Sequence, residues 1–214
     1  MTVGELTTIH PRAVGVLHRH GIDFCCGGGR SLEEACAARG VDPAAVLAEV
    51  AAAERTTGAG IRWDLQPVEA LIAHLLERYH APLREDLELV VRLAQKVRRV
   101  HEQKDPRLVE VESLILALRD DLLAHLEKEE EVLFPWIRRP GAPPPEGPIE
   151  VMRSEHDEVA DLLRRLERAT DAYVVPEGAC RSWTALLETT ARVDRELREH
   201  VALENNVLFP RCGG

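Results

Sequence analysis

The chain has 214 residues, of which 45% are hydrophobic, 30% charged and only 4% aromatic, with a formal charge of -10. That length supports one fair-sized core plus a small appendage. The acidic balance excludes a general nucleic-acid binder, which needs a basic face for phosphates, and no apolar run approaches the length of a membrane span. The five cysteines, odd in number with two adjacent, do not form a disulfide framework and are expected as thiols. The first twenty residues show no basic-then-apolar leader pattern, so a cytoplasmic setting is expected.

Residues 1–60 read as a small helical domain. Gly21 and the run Gly27-Gly28-Gly29 interrupt it. Ser31 with Glu34 forms a capping box that opens a short helix, and Gly40 ends it. Asp42-Pro43 opens another helix through about Arg55, and TTGAG (56–60) is the linker. Residues 61–214 then carry four long amphipathic segments. The first spans about 67–101, with Leu76, Leu83, Leu87, Val90, Ala94 and Val97 on one stripe. The second spans about 107–137, with Ile115, Leu118, Leu122, Val132 and Trp136. The third spans about 149–169, with Met152, Val159, Leu163 and Leu166, and the fourth about 179–208, with Leu186, Val193, Leu197 and Val207. Steps of three and four mark helices, and the breaks KDP, RRPGAPPPEGP and VVPEG are turn chemistry. Short connections make neighbours antiparallel. The predicted fold is all-α: an up-down-up-down four-helix bundle preceded by a small helical domain.

Each stripe contains polar residues where apolar ones are expected: His80, then His125 with Glu129, then His156, then His200 with Glu204. Six ionisable groups on core-facing lines are costly unless something satisfies them, and a metal does so. Their heights agree. In an antiparallel hairpin, residues equidistant from the turn share a level. The midpoint of His80 and His125 falls at 102–103, that of His125 and His156 at 140–141, and that of His156 and His200 at 178, each inside a break. The set also repeats, because HLEKEEEVLFP (125–135) and HVALENNVLFP (200–210) share H-x3-E-x3-LFP. His and Glu four apart lie about 40° apart around a helix, so both reach inward. Any one of these histidines alone reads as an ordinary core or surface residue; the layered, repeated set reads as two half-sites for two metals. Imidazoles with bridging carboxylates and an oxo or hydroxo group suit iron or manganese, whereas structural zinc prefers a closed tetrahedron. Two iron ions bridged by Glu129 and Glu204 are expected.

At these residues the chain resembles hemerythrin-like domains, and nearly its whole length resembles the RIC family of di-iron proteins that repair iron–sulfur clusters. The carrying motifs are DFCCGGG (23–29), RYH (78–80), H-x3-E (125–129), SEHDE (154–158) and HVALENNVLFP (200–210). The resemblance implies the same six metal ligands. It also implies repair of clusters damaged by nitrosative or oxidative stress, with iron donation as the means and damaged iron–sulfur proteins as clients. Oxygen carriers of the hemerythrin type have a further histidine one turn after the third-helix ligand; here that position is Ala160, which leaves open coordination for nitric oxide or oxygen. Nitric oxide reduction at the two irons and oxygen or redox sensing are the alternatives. No nucleic-acid or membrane partner is expected, and the chain is read as a monomer or homodimer.

Cys25 and Cys26 precede glycines and a helix start, where backbone N–H groups favour a thiolate. They either pack or act as thiols or soft ligands, and the resemblance implies a role in metal delivery or electron supply. Cys36, Cys180 and Cys212 read as structural or incidental. Asp121 and Glu155 are candidates to orient a histidine or line a path to the irons; each also reads as a solvated helix charge. His101 either lines the access route or sits at a helix C-terminus. His10, His18, His20 and His74 read as surface or packing residues.

Overall fold

A computed structural model describes residues 1–213. Among the described residues the chain is helical with no strand; the one β-type pairing is an isolated bridge between Thr2 and Ser31. Two compact units form. One gathers Met1–Ala73, Pro140–Arg153 and residues from Arg198 onward, and the other gathers His74–Arg139 and Ser154–Leu197. The first unit thus takes in stretches beyond residue 60 as well as the residues assigned from sequence to the small domain.

In the first unit, α1 (Val3–Ile9), α2 (Ala13–Arg19), α3 (Leu32–Ala37) and α4 (Pro43–Thr57) are short, and all but α2 carry a side-chain N-cap. Ser31 and Glu34 make the capping box read from the sequence, and Gly40 takes a φ of 67° just past the end of α3. Asp42 accepts from the Ala44 N–H at 3.0 Å to open α4. Helices this short do not persist alone. They are held by a core of Leu6, Leu17, Phe24, Leu32 and Val46, which also takes in Val201 and Ala202.

The second unit is the four-helix bundle. Its elements are the last residues of α5 (Val68–Leu75) continuing into α6 (Ala81–His101), α7 (Leu108–Lys128) continuing into α8 (Phe134–Arg138), and parts of α9 (Glu146–Ala169) and α10 (Arg181–Leu203). Leu87, Leu118, Leu122, Leu163 and Leu186 are among the side chains closing its core. The bidentate pair between Arg192 and Asp86, at 2.5 and 2.8 Å, ties α10 to α6.

Three of the long helices are interrupted by a π turn: Leu76–His80, Glu129–Leu133 and Glu204–Leu208, the last leading into α11 (Phe209–Arg211). Each closes with an i to i−5 hydrogen bond, from the N–H groups of Ala81, Phe134 and Phe209 to the carbonyls of Leu76, Glu129 and Glu204. The cause lies two residues past each turn, at Pro82, Pro135 and Pro210. Proline offers no N–H to the carbonyl four residues back and crowds it, and a wide turn just before it moves that carbonyl aside. The extra residue shifts the helical phase and corrects the sequence-based stripes. Leu75 rather than Leu76 is fully buried, while Val132 and Trp136 are 51% and 40% exposed with Leu133 and Phe134 buried in their place.

Candidate metal centre

The π turns carry the site. His80 ends the first, and Glu129 and Glu204 open the second and third. Such wide turns recur at functional positions because they re-aim side chains within an otherwise regular helix.

In the bundle unit, His80, His125, Glu129 and His156 are all at most 2% exposed. The Glu129 carboxylate lies 3.5 Å from the Nε2 atoms of both His80 and His125, one oxygen to each. His125 and His156 face one another through their Nε2 atoms at 3.2 Å. One ligand atom from each of His125, Glu129 and His156 lies within 4.8 Å of the others. Both Glu129 oxygens are buried without a hydrogen-bond partner. A carboxylate left so in a low-dielectric interior costs on the order of several kcal/mol. An oxygen–nitrogen donor set of this kind, around an otherwise unsatisfied anion, fits a cation such as iron or manganese.

The other imidazole nitrogens are engaged. Nδ1 of His80 lies 2.9 Å from Glu130, and Nδ1 of His125 lies 2.9 Å from Glu155. A carboxylate at Nδ1 fixes the proton there and leaves the Nε2 lone pair for a metal. Each carboxylate meets a cation in turn: Arg84 lies 3.0 Å from Glu130, and Lys128 hydrogen-bonds Glu155. For Glu130, burial pushes the carboxyl up, but the hydrogen bonds with His80 and Arg84 outweigh it and hold the group below its ordinary value. For Glu155, burial likewise pushes up and the hydrogen bonds with Lys128 and His125 win. Both carboxylates therefore stay charged where they face the histidines. The Phe134 ring completes the support, 5.6 Å from that of His80.

In the first unit, His200 and Glu204 are 1% and 0% exposed, with Nε2 of His200 3.0 Å from Glu204 Oε1. The next two residues reach the cysteine loop. Asn205 Nδ2 donates to the Cys25 carbonyl at 3.0 Å, and Asn206 Nδ2 donates to the Phe24 carbonyl at 2.9 Å. Cys25 is 2% exposed, and its thiol donates to Asp23 Oδ1 at 3.3 Å. The N–H groups of Cys25 and Cys26 also point to Asp23, at 3.2 and 3.0 Å. Backbone donors that the sequence suggested for sulfur are thus spent on a carboxylate. Burial pushes the Asp23 carboxyl up, and the hydrogen bonds from Gly27, Cys26 and Cys25 more than reverse this.

The remaining candidates separate. Glu155 holds a histidine. Asp121 is exposed on the outer face of α7 and reaches none of them. His101 is 21 residues beyond His80, about 30 Å along the helix axis; there it ends α6, contacts Cys180 Sγ at 3.3 Å and packs on Trp183 at 5.1 Å. Sequence reasoning missed Glu130, Asp23, Asn205 and Asn206. Glu130 and Glu155 each stand beside a candidate ligand in sequence, and that adjacency was the available signal. The asparagines carried one too: in the repeat, Asn205-Asn206 replace Glu130-Glu131.

Comparison with known proteins agrees with this arrangement. Residues 71–212 match the model of the hemerythrin HHE cation binding domain, and residues 1–54 match a domain of unknown function, DUF542. The iron-sulfur cluster repair protein YtfE of Yersinia pestis (strain Pestoides F) is 38% identical over 213 residues, covering 99% of this chain and 96% of the relative. YtfE of Yersinia pseudotuberculosis serotype O:1b (strain IP 31758) is similar to the same extent over the same span. With both domains matched in order and the relatives aligned almost end to end, the chain belongs to the RIC family of hemerythrin-like iron–sulfur cluster repair proteins.

Proposed function

We propose that the chain repairs iron–sulfur clusters damaged by nitrosative or oxidative stress by supplying iron from a two-iron centre. His80, His125 and Glu129 form one half-site and His156, His200 and Glu204 the other, with Glu129 and Glu204 bridging alongside an oxo or hydroxo group. One observation carries the reading: Glu129 keeps both oxygens buried and without a hydrogen-bond partner among imidazole nitrogens, an arrangement that a bound cation relieves. The H-x3-E repeat and the common height of the four histidines extend it to His200 and Glu204. The cluster repair named for the YtfE relatives supports the activity.

Iron in such a site supplies exchangeable coordination positions and one-electron chemistry. The chain's own part is to present Nε2 lone pairs, with Glu130 and Glu155 holding the protons at Nδ1, and to keep bulk water out with a buried ligand shell. Clients are proteins whose clusters have lost iron. The test incubates iron-loaded protein with an enzyme whose cluster has been nitrosylated or oxidised. Recovery of client activity beyond a free-iron control is expected, and Glu129→Ala should not deliver it; recovery no better than free iron would sink the proposal.

A second reading, nitric oxide reduction at the same centre, is favoured by Ala160. It lies buried one turn after His156 and offers a methyl group where a ligand side chain could stand. Paired open positions can hold two small molecules together. Consumption of nitric oxide by the reduced, loaded protein tests it; no consumption rejects it.

A further inference from the structure

The residues directly after Glu204 do something that their counterparts after Glu129 do not. Asn205 and Asn206 lie in the π turn, yet both side-chain amides leave the helix and donate to the backbone of the cysteine loop, at the Cys25 and Phe24 carbonyls. The Asn206 carbonyl, which Pro210 cannot bond, faces the Thr8 hydroxyl at 3.5 Å. From the loop side, Asp23 gathers the N–H groups of Cys25, Cys26 and Gly27 around one carboxylate. Gly28 completes the fit: a Cβ there would stand 2.2 Å from the Asn206 side-chain oxygen, so any other residue would push the asparagine away. The loop and the turn are thus joined at several points, one peptide unit from the Glu204 carboxylate.

We propose that the Cys25–Cys26 loop and Glu204 move as one mechanical unit, with Asn205 and Asn206 as positioning residues. Modification of Cys26 then changes how firmly Glu204 holds metal, and metal at Glu204 changes the equilibrium state of the loop by the same factor. Cys26 is the thiol in question, because Cys25 is buried against Asp23 while Cys26 is half-buried. This rests on the metal reading above. It extends that reading by giving the two domains a common control element at the cysteines.

The experiment measures iron affinity by competition with a chelator. The full chain carries Cys180→Ser to remove the exposed thiol, and Cys26 is either untreated or alkylated with iodoacetamide, its sulfur displacing iodide. Mass spectrometry confirms the labelled residue. Alkylation should lower affinity about tenfold, the scale of one lost buried hydrogen bond. In Asn205→Ala and Asn206→Ala the affinity should already be low, and alkylation should change it less than twofold. Asn206→Asp, which keeps the shape but cannot donate to the Phe24 carbonyl, should behave like Asn206→Ala, and circular dichroism checks that every variant folds. An equal alkylation effect in wild type and variants, or none in wild type, overturns the coupling. The metal-free chain separates the two levels. There, Asn206→Ala should speed Cys26 alkylation several-fold, and an unchanged rate overturns the loop–turn unit whatever the metal does. A wild-type chain that binds no iron overturns the metal reading and the metal half of this proposal, while the alkylation rates still judge the loop.

Discussion

The segments 125–135 and 200–210 share one template and differ in what lies outside it. Both run His, three residues, Glu, a π turn, then Leu-Phe-Pro. After Glu129 comes Glu130, which bonds His80 and Arg84 and holds a neighbouring ligand electrostatically. After Glu204 come two asparagines that bond the backbone beside the cysteines. In the proposed metal centre, the His-x3-Glu part of the repeat answers to the metal's donor requirements. The residue just beyond it is free to connect each half to a different neighbour, here an ion pair in one case and a loop in the other.

The largest expected effect sharpens this contrast. Glu129→Ala and Glu204→Ala should each abolish the coupled two-iron spectrum, read by Mössbauer spectroscopy and metal analysis. Their metal-free forms should diverge. Glu129→Ala removes a buried carboxyl group with no hydrogen-bond partner and should stabilise the metal-free chain by about 1–3 kcal/mol. At roughly 2–4 °C per kcal/mol for a chain of this size, that is several degrees in Tm. Glu204→Ala forfeits the 3.0 Å contact with His200 and should gain less. Calorimetry of both metal-free variants checks the order.

Next in size, Glu130→Gln and Glu155→Gln should each lower iron affinity about 10–100-fold, read by chelator competition, because a neutral amide holds the Nδ1 proton less firmly. Smaller is the acid response. Glu130 and Glu155 are held below their ordinary values in the folded chain, so their contribution is fully present above the unfolded carboxyl pKa and is lost as pH falls through the lower folded one. Metal-free stability should therefore decline below about pH 4.3, and the double Gln variant should show a shallower decline in a pH series of melting curves. The smallest effect belongs to Asp121→Asn. This side chain is exposed, and its loss should leave iron affinity unchanged and stability within about 0.5 kcal/mol.

Much of this was readable from the chain itself. Helical periodicity, turn residues and capping boxes give the bundle and the small helices, because each is a local signal repeated many times. The histidines and glutamates stood out as polar residues on apolar stripes. What escaped depends on geometry that a uniform 3.6-residue period cannot express. Val132 and Trp136 were placed inward because a π turn adds a residue that no wheel anticipates, although Pro135 marks its cause. Asp121, one turn before His125 on its own helix, looked as good as Glu155. Only the packing of α9 against α7 shows that Glu155, from across the interface, reaches Nδ1. For Cys25 the sequence leaves packing and thiol chemistry both open, because its burial and its contact with Asp23 are invisible in a loop sequence.

The π turns also make the backing of the site separable from the scaffold. Each is one residue longer than the α-helical turn it replaces, so deleting a residue such as Val132, together with replacing Pro135, would return that stretch to a regular helix in phase with itself. The bundle core of Leu87, Leu118 and Leu163 lies elsewhere and would keep its packing, and with it Glu129, still one turn after His125, while Leu133 and Phe134 would turn by about 100° and take the Phe134 ring away from His80. In engineering terms the apolar backing of the site is an insertion of single residues, removable one helix at a time and equally open to being written into other helical bundles.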